Sequence, residues 1–113
     1  MAIGKKYGVK KNQYILDPGI GFGKRVEDNL AIVKNYKYFA KWKLPLLIGV
    51  SRKSHLGKKL QIKLNLKKIP PPAERLEAAL AETAVTVLHG ANIVRTHDVL
   101  ATKKFLAVLD ELR

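Results

Sequence analysis

Three short apolar runs, each closed by glycine or polar residues and each followed by a longer stretch of helical periodicity, set what this chain can fold into. The first, Tyr14–Leu16, ends at Asp17 and runs into a Pro18–Gly23 loop that can continue neither a strand nor a helix. The second, Pro45–Val50, is apolar throughout, as expected of a parallel strand covered on both faces, and stops at Ser51. The third, Asn92–His97, closes on Arg95, Thr96 and His97.

Helices are predicted between and after these runs. One extends from about Glu27 to Trp42, with Ile32, Val33, Tyr36, Phe39 and Ala40 on a single stripe. A second extends from about Ala73 to His89, with Leu76, Leu80, Thr83 and Val87 on one face and Gly90 as its C-cap. The last starts near Val99 and keeps Phe105, Leu109 and Leu112 in register. A basic stretch ending in Pro70–Pro72 reads as a short helix and an exposed loop, and Met1–Gly8 as the tail of a helix capped by Gly8.

Strands separated by helices of this length pair in parallel through right-handed crossovers, giving three β-α units of a doubly wound sheet or of a (β/α)8 barrel. Both satisfy the pattern. Both also bring Asp17, the Ser51–Ser54 group, Arg95 and His97 to one rim, at the C-terminal ends of the strands.

The 113 residues suffice for one domain, spanning residues 1–113. Lys and Arg number 22 against 9 Asp and Glu, a net charge of +13, so the chain is suited to meeting anions. A nucleic-acid partner is not expected, because aromatics make up only 7% and are not interleaved with the basic groups. With no cysteine, disulfides and thiolate metal sites are excluded, and a reducing cytoplasm is compatible. The longest apolar run is far too short to span a bilayer, so no membrane partner is expected.

Three segments carry chemistry. In Asp17–Lys24, three glycines at alternate positions allow close approach of backbone to a ligand, although they also suit a tight turn. Asp17, following a buried strand, can accept two adjacent N–H groups of a heterocycle. The loop is not a nucleotide fingerprint, since Gly23-Lys24-Arg25 lacks the Ser or Thr of a phosphate loop. In Ser51–Ser54, two cations and two hydroxyls at a helix N-terminus form a candidate anion site or a capped, solvated turn. In Arg95–Asp98, Arg95 and His97 lie on one face of a strand and suit a phosphate or pyrophosphate. His97 is not a metal candidate, because His55 and His89 are not at ligand spacing.

Together Asp17–Lys24 (DPGIGFGK), Ser51–Ser54 (SRKS) and Gly90–Val99 (GANIVRTHDV) resemble the last three signature segments of the dihydropteroate synthases, and the resemblance includes Glu74–Glu77 (ERLE). It implies the C-terminal portion of a (β/α)8 barrel, its sixth to eighth strands. The implied reaction condenses 6-hydroxymethyl-7,8-dihydropterin pyrophosphate with p-aminobenzoate to dihydropteroate, releasing pyrophosphate, in folate biosynthesis. It further implies Asp17, Gly49 and Lys53 at the pterin, Phe22 and Ser54 at the p-aminobenzoate, and Arg95 and His97 at the diphosphate. Lys53, Arg95 and His97 would be the catalytic residues.

The same resemblance implies Mg2+ as cofactor, with the family's ligand for it outside these residues, a cytoplasmic homo-oligomer, and a sulfonamide target. A whole barrel takes about 250 residues, so these 113 are expected to be part of one, with little activity by themselves. Two alternatives stand beside this reading. One is a non-catalytic pterin-binding module of the methyltransferase kind, against which the serine of Ser51–Ser54 weighs. The other is a basic nucleic-acid-binding protein.

Overall fold

Parallel backbone pairing ties the three expected strand segments together in a computed structural model that describes all of residues 1–113. The chain begins with α1 (Ala2–Lys6) and a 3-10 turn at Lys11–Gln13. There follow α2 (Val26–Lys34), a 3-10 helix Tyr36–Trp42, β1 (Leu47–Ile48) and α3 (Ser54–Leu64). A 3-10 turn at Pro72–Glu74 leads into α4 (Leu76–Leu88), and β2 (Ile93–Val94) and α5 (Val99–Leu112) complete the chain. The fold is mixed α/β, with an open sheet of two strands.

The strands are shorter than the apolar runs that signal them. β1 and β2 pair in parallel, Leu47 with Ile93 and Ile48 with Val94. Tyr14–Leu16, expected as a strand, contributes only a parallel bridge between Leu16 and Leu46, through Leu16 N to Pro45 O at 2.9 Å and Leu47 N to Leu16 O at 2.8 Å. Asp17-Pro18 explains the early stop, since proline has no N–H to continue a ladder. The β1–β2 register extends past the strands: Leu46 N donates to Asn92 Oδ1 at 3.0 Å, and Arg95 N to Ile48 O at 2.9 Å.

Coverage of the second run also differs from expectation. Leu44, Leu46, Ile48 and Val50 are buried, whereas Pro45 is exposed and Leu47 half-buried. One face therefore lies under the helices and the other is partly bare. Leu46, Ile48 and Val50 join Ile20, Val33, Tyr36, Leu56, Ala79 and Val87 in the core, where burial of a large aliphatic side chain contributes about 1.5–3 kcal/mol. Only 22 of the 113 residues are buried, and the radius of gyration is 15.4 Å, against about 13 Å for a compact domain of this length. The exposed Ile15 and Ile93 belong to this open architecture.

The helix expected over Glu27–Trp42 divides at Asn35, whose Nδ2 turns back to Ala31 O at 2.9 Å. The 3-10 segment beyond it buries Tyr36, which donates its hydroxyl to Leu47 O at 3.0 Å; burial, aided by the Asp17 carboxylate, pushes this phenol up to about 12. Arg75 stands where the helix expected from Ala73 changes from 3-10 to α. Gly8 and Gly90 adopt positive φ, 83° and 112°, which favours glycine at both helix ends. No helix is long and apolar enough to cross a membrane.

Candidate pterin and diphosphate site

The C-terminal ends of β1 and β2 open onto a cleft lined by Gly49, Ser51, Lys53, Arg95, Thr96 and His97. Four of the residues singled out in the sequence, Gly49, Lys53, Arg95 and His97, thus share one lining. Asp17 joins them from the neighbouring loop, its Oδ2 3.6 Å from Arg95 Nη2 and its Oδ1 accepting from Gly19 N at 2.9 Å. Gly49 matters for what it lacks: a Cβ there would stand 2.7 Å from Arg95 Nη2. The guanidinium lies flat along this strand end because glycine leaves the space.

Lys53 is the N-cap of α3 and crosses back to the glycine loop, donating to Ile20 O. Its ammonium also lies 4.5 Å from the Phe22 ring centroid, a cation–π contact. Gly21 makes room for the crossing: its φ is 86°, and a Cβ would stand 2.6 Å from Lys53 Cδ. Burial, then the nearby Arg95, lowers the Lys53 ammonium below its ordinary value, while Asp17 pulls the other way. Phe22 is 66% exposed, and Ser54, the first residue of α3, is exposed outside the cleft lining.

Further residues complete the site, and one of them, Asn29, lies outside every motif segment. Asn29, 2% exposed in α2, accepts from Gly21 N at 2.8 Å and donates to Arg25 O at 3.0 Å, fixing the glycine loop. Lys24 closes the same loop by donating to Gly19 O at 2.8 Å and Phe22 O at 3.1 Å. Arg52 Nη2 pairs with Asp98 Oδ1 at 2.9 Å and holds that carboxyl below its usual range. Buried Arg75 donates to Pro70 O at 2.9 Å and to Arg52 O at 2.8 Å. A polar residue on a helix face reads as solvated in a sequence, and only the packing of α2 against the loop gives Asn29 its role.

The arrangement is an acceptor, Asp17, opposite cations, with an aromatic ring at one side. It can hold a flat heterocycle bearing adjacent N–H groups and, beside it, a polyanion. The chain matches the pterin binding enzyme family over residues 2–97. It belongs to that family. Among the family's dihydropteroate synthases, the enzyme of Escherichia coli K12 is 37% identical over 103 residues, which cover 91% of this chain and 34% of that enzyme. That of Neisseria meningitidis serogroup B is 41% identical over 108 residues, 93% of this chain and 35% of the enzyme.

Solved structures agree. The Yersinia pestis dihydropteroate synthase superposes with a TM-score of 0.87 at 33% identity, covering 99% of this chain and 49% of that one. The Clostridium difficile dihydropteroate synthase, determined in the presence of pteroic acid, gives 0.88 at 34%, covering 98% and 39%. The chain of this family member spans about a third of the length of the curated relatives it matches, 34% and 36% for those of E. coli and Synechocystis.

Proposed function

We propose that residues 1–113 form the C-terminal part of a (β/α)8 pterin-binding domain and supply half the active-site rim of a dihydropteroate synthase. The reaction joins 6-hydroxymethyl-7,8-dihydropterin pyrophosphate to p-aminobenzoate and releases pyrophosphate. The observation that carries this reading is the convergence of Asp17, Lys53, Arg95 and His97, from three successive β-α units, on one cleft. The dihydropteroate synthase relatives and the Clostridium difficile structure determined with pteroic acid support it.

Each side chain then has a task. Asp17 accepts from the guanidine-like edge of the pterin, and Lys53 contacts the ring from the second unit. Gly49 keeps the strand end open beneath it. As the bond from the pterin methylene carbon to the diphosphate oxygen breaks, negative charge grows on the leaving group, where Arg95 and His97 stabilise it more than in the ground state. The amine of p-aminobenzoate bonds to the methylene carbon and loses a proton. Phe22 packs beside the aromatic ring, and Ser54, with the free N–H groups of α3, receives its carboxylate.

Magnesium does not fit the residues present. No three His, Asp or Glu residues cluster, and the two carboxylates nearest the cleft are engaged by arginines, Asp17 by Arg95 and Asp98 by Arg52. No step here runs through the ion.

Calorimetric titration of the chain with pteroate and with inorganic pyrophosphate tests the proposal. Both are expected to bind, and Arg95→Ala to weaken pyrophosphate by about tenfold or more, as loss of a charge-assisted contact predicts. Failure of the parent chain to bind either ligand overturns it.

A further inference from the structure

Residues 51–55 run from the loop after β1 into the first turn of α3, and the side chains of four of the five are held by residues distant in the sequence. Ser51 holds the His97 ring, Arg52 pairs with Asp98, and Lys53 reaches Ile20 O. The fourth is His55, whose partner lies away from the cleft. Its Nε2 is 2.9 and 2.8 Å from the two carboxylate oxygens of Glu82, in α4. The His55 side chain is 2% exposed and that of Glu82 11%. The other ring nitrogen, Nδ1, is buried without a partner, so Glu82 is the ring's one polar tether.

A carboxylate this deep is costly unless paired, and the apolar alternatives at two helix positions would pack more cheaply. The pair also has a directional effect that apolar packing lacks. His55, Leu56 and Gly57 are buried, while Ser54 is exposed. Successive residues of a helix are turned by about 100°, so fixing the azimuth of His55 fixes that of Ser54.

We propose that the His55–Glu82 pair is a positioning device: it locks the rotation of the first turn of α3 and thereby aims Ser54 and the helix N-terminus at the carboxylate of the aromatic amine co-substrate. This rests on the functional reading above and adds a residue pair that never touches substrate. A purely structural role lowers stability without sorting ligands. A positioning role weakens the ligand that carries the benzoate and spares the diphosphate, which Arg95 and His97 hold from the next unit.

The test compares His55→Leu, His55→Gln and the parent chain by titration with pteroate and inorganic pyrophosphate, and by the amide NMR resonances of Lys53 and Ser54. His55→Leu is expected to weaken pteroate about tenfold, to leave pyrophosphate within about twofold, and to shift both resonances. His55→Gln, which keeps a donor toward Glu82, is expected to recover pteroate to within about threefold. If His55→Leu does not fold, His55→Asn, a shorter donor, replaces it with the same expected split. Equal weakening of both ligands, or unchanged pteroate affinity, overturns the proposal. A parent chain that binds neither ligand sinks the functional reading instead; the resonances then decide, and unmoved Lys53 and Ser54 signals overturn the positioning role.

Discussion

Ser51 grips His97 twice. The serine hydroxyl lies 2.9 Å from ring Nδ1 of His97 and accepts from its backbone nitrogen at 3.1 Å, with Thr96 Oγ1 3.4 Å away. With Nδ1 occupied, the ring's other nitrogen is left to serve the cleft, and a buried residue at the end of β1 sets the orientation of a side chain from the next unit. Ser51→Ala is therefore expected to weaken pyrophosphate about fivefold, the effect of losing about 1 kcal/mol of hydrogen bonding. Calorimetric titration reads it, and unchanged affinity shows that the imidazole needs no such support.

Asn29 bridges α2 and the glycine loop. Its replacement by alanine leaves Gly21 N and Arg25 O without their partners, a loss of about 2 kcal/mol in a buried setting. Urea denaturation is expected to show a lower midpoint with an unchanged slope, and pteroate affinity should fall because the loop carries Asp17 and Phe22 at its ends.

Two glycines respond oppositely to alanine. At Gly57 the new methyl would meet Arg75 Nε at 2.7 Å and Ile69 Cγ2 at 2.9 Å. Arg75 is buried and donates to two carbonyls, so it cannot yield, and Gly57→Ala should cost about 2 kcal/mol of stability. At Gly49 the obstacle is the Arg95 guanidinium, on a side chain 56% exposed that can swing away. Gly49→Ala should leave stability within about 0.5 kcal/mol while weakening pyrophosphate about tenfold. Thermal melts and titrations on the two variants separate these outcomes.

Asp98 gives a pH signature. Arg52 holds its carboxyl below the ordinary value of 3.8, so the pairing contributes stability above that value and loses it as pH falls through the depressed one. Asp98→Asn should therefore melt below the parent at neutral pH. The gap should close toward about pH 2, where the parent's carboxyl is protonated as well. A gap independent of pH assigns the loss to packing.

The placement of Asp17, Lys53, Arg95 and His97 at one rim was legible because strand ends in a parallel β-α repeat all face the same way. Strand lengths were not. Apolar runs record burial, whereas a ladder needs N–H groups in register, which Pro18 denies to the first run. The Pro45–Val50 run was expected to be covered on both faces, yet Pro45 is exposed and Leu47 only half-buried. Neither Asn29 nor the His55–Glu82 pair could be read in advance, since polar side chains on helices resemble solvated ones until a distant partner is in place. Ser51 and Ser54, three apart, turned out to do different work, one buried under an imidazole and one exposed at a helix start.

Partners across β1 and β2 stand 46 residues apart, and the same separation persists beyond the strands, in Ser51 with His97 and Arg52 with Asp98. This fixes where the chain can change length. Residues added to the exposed turn between α3 and α4 would lengthen the crossover and leave both strand ends paired as before. A single residue gained or lost within 46–52 or 92–98 would slip one rim against the other, turn alternate side chains to the wrong face, and undo the serine grip and the ion pair together. Length variation in this part of the molecule should accordingly collect in the crossover and spare the two seven-residue stretches that face each other across the cleft.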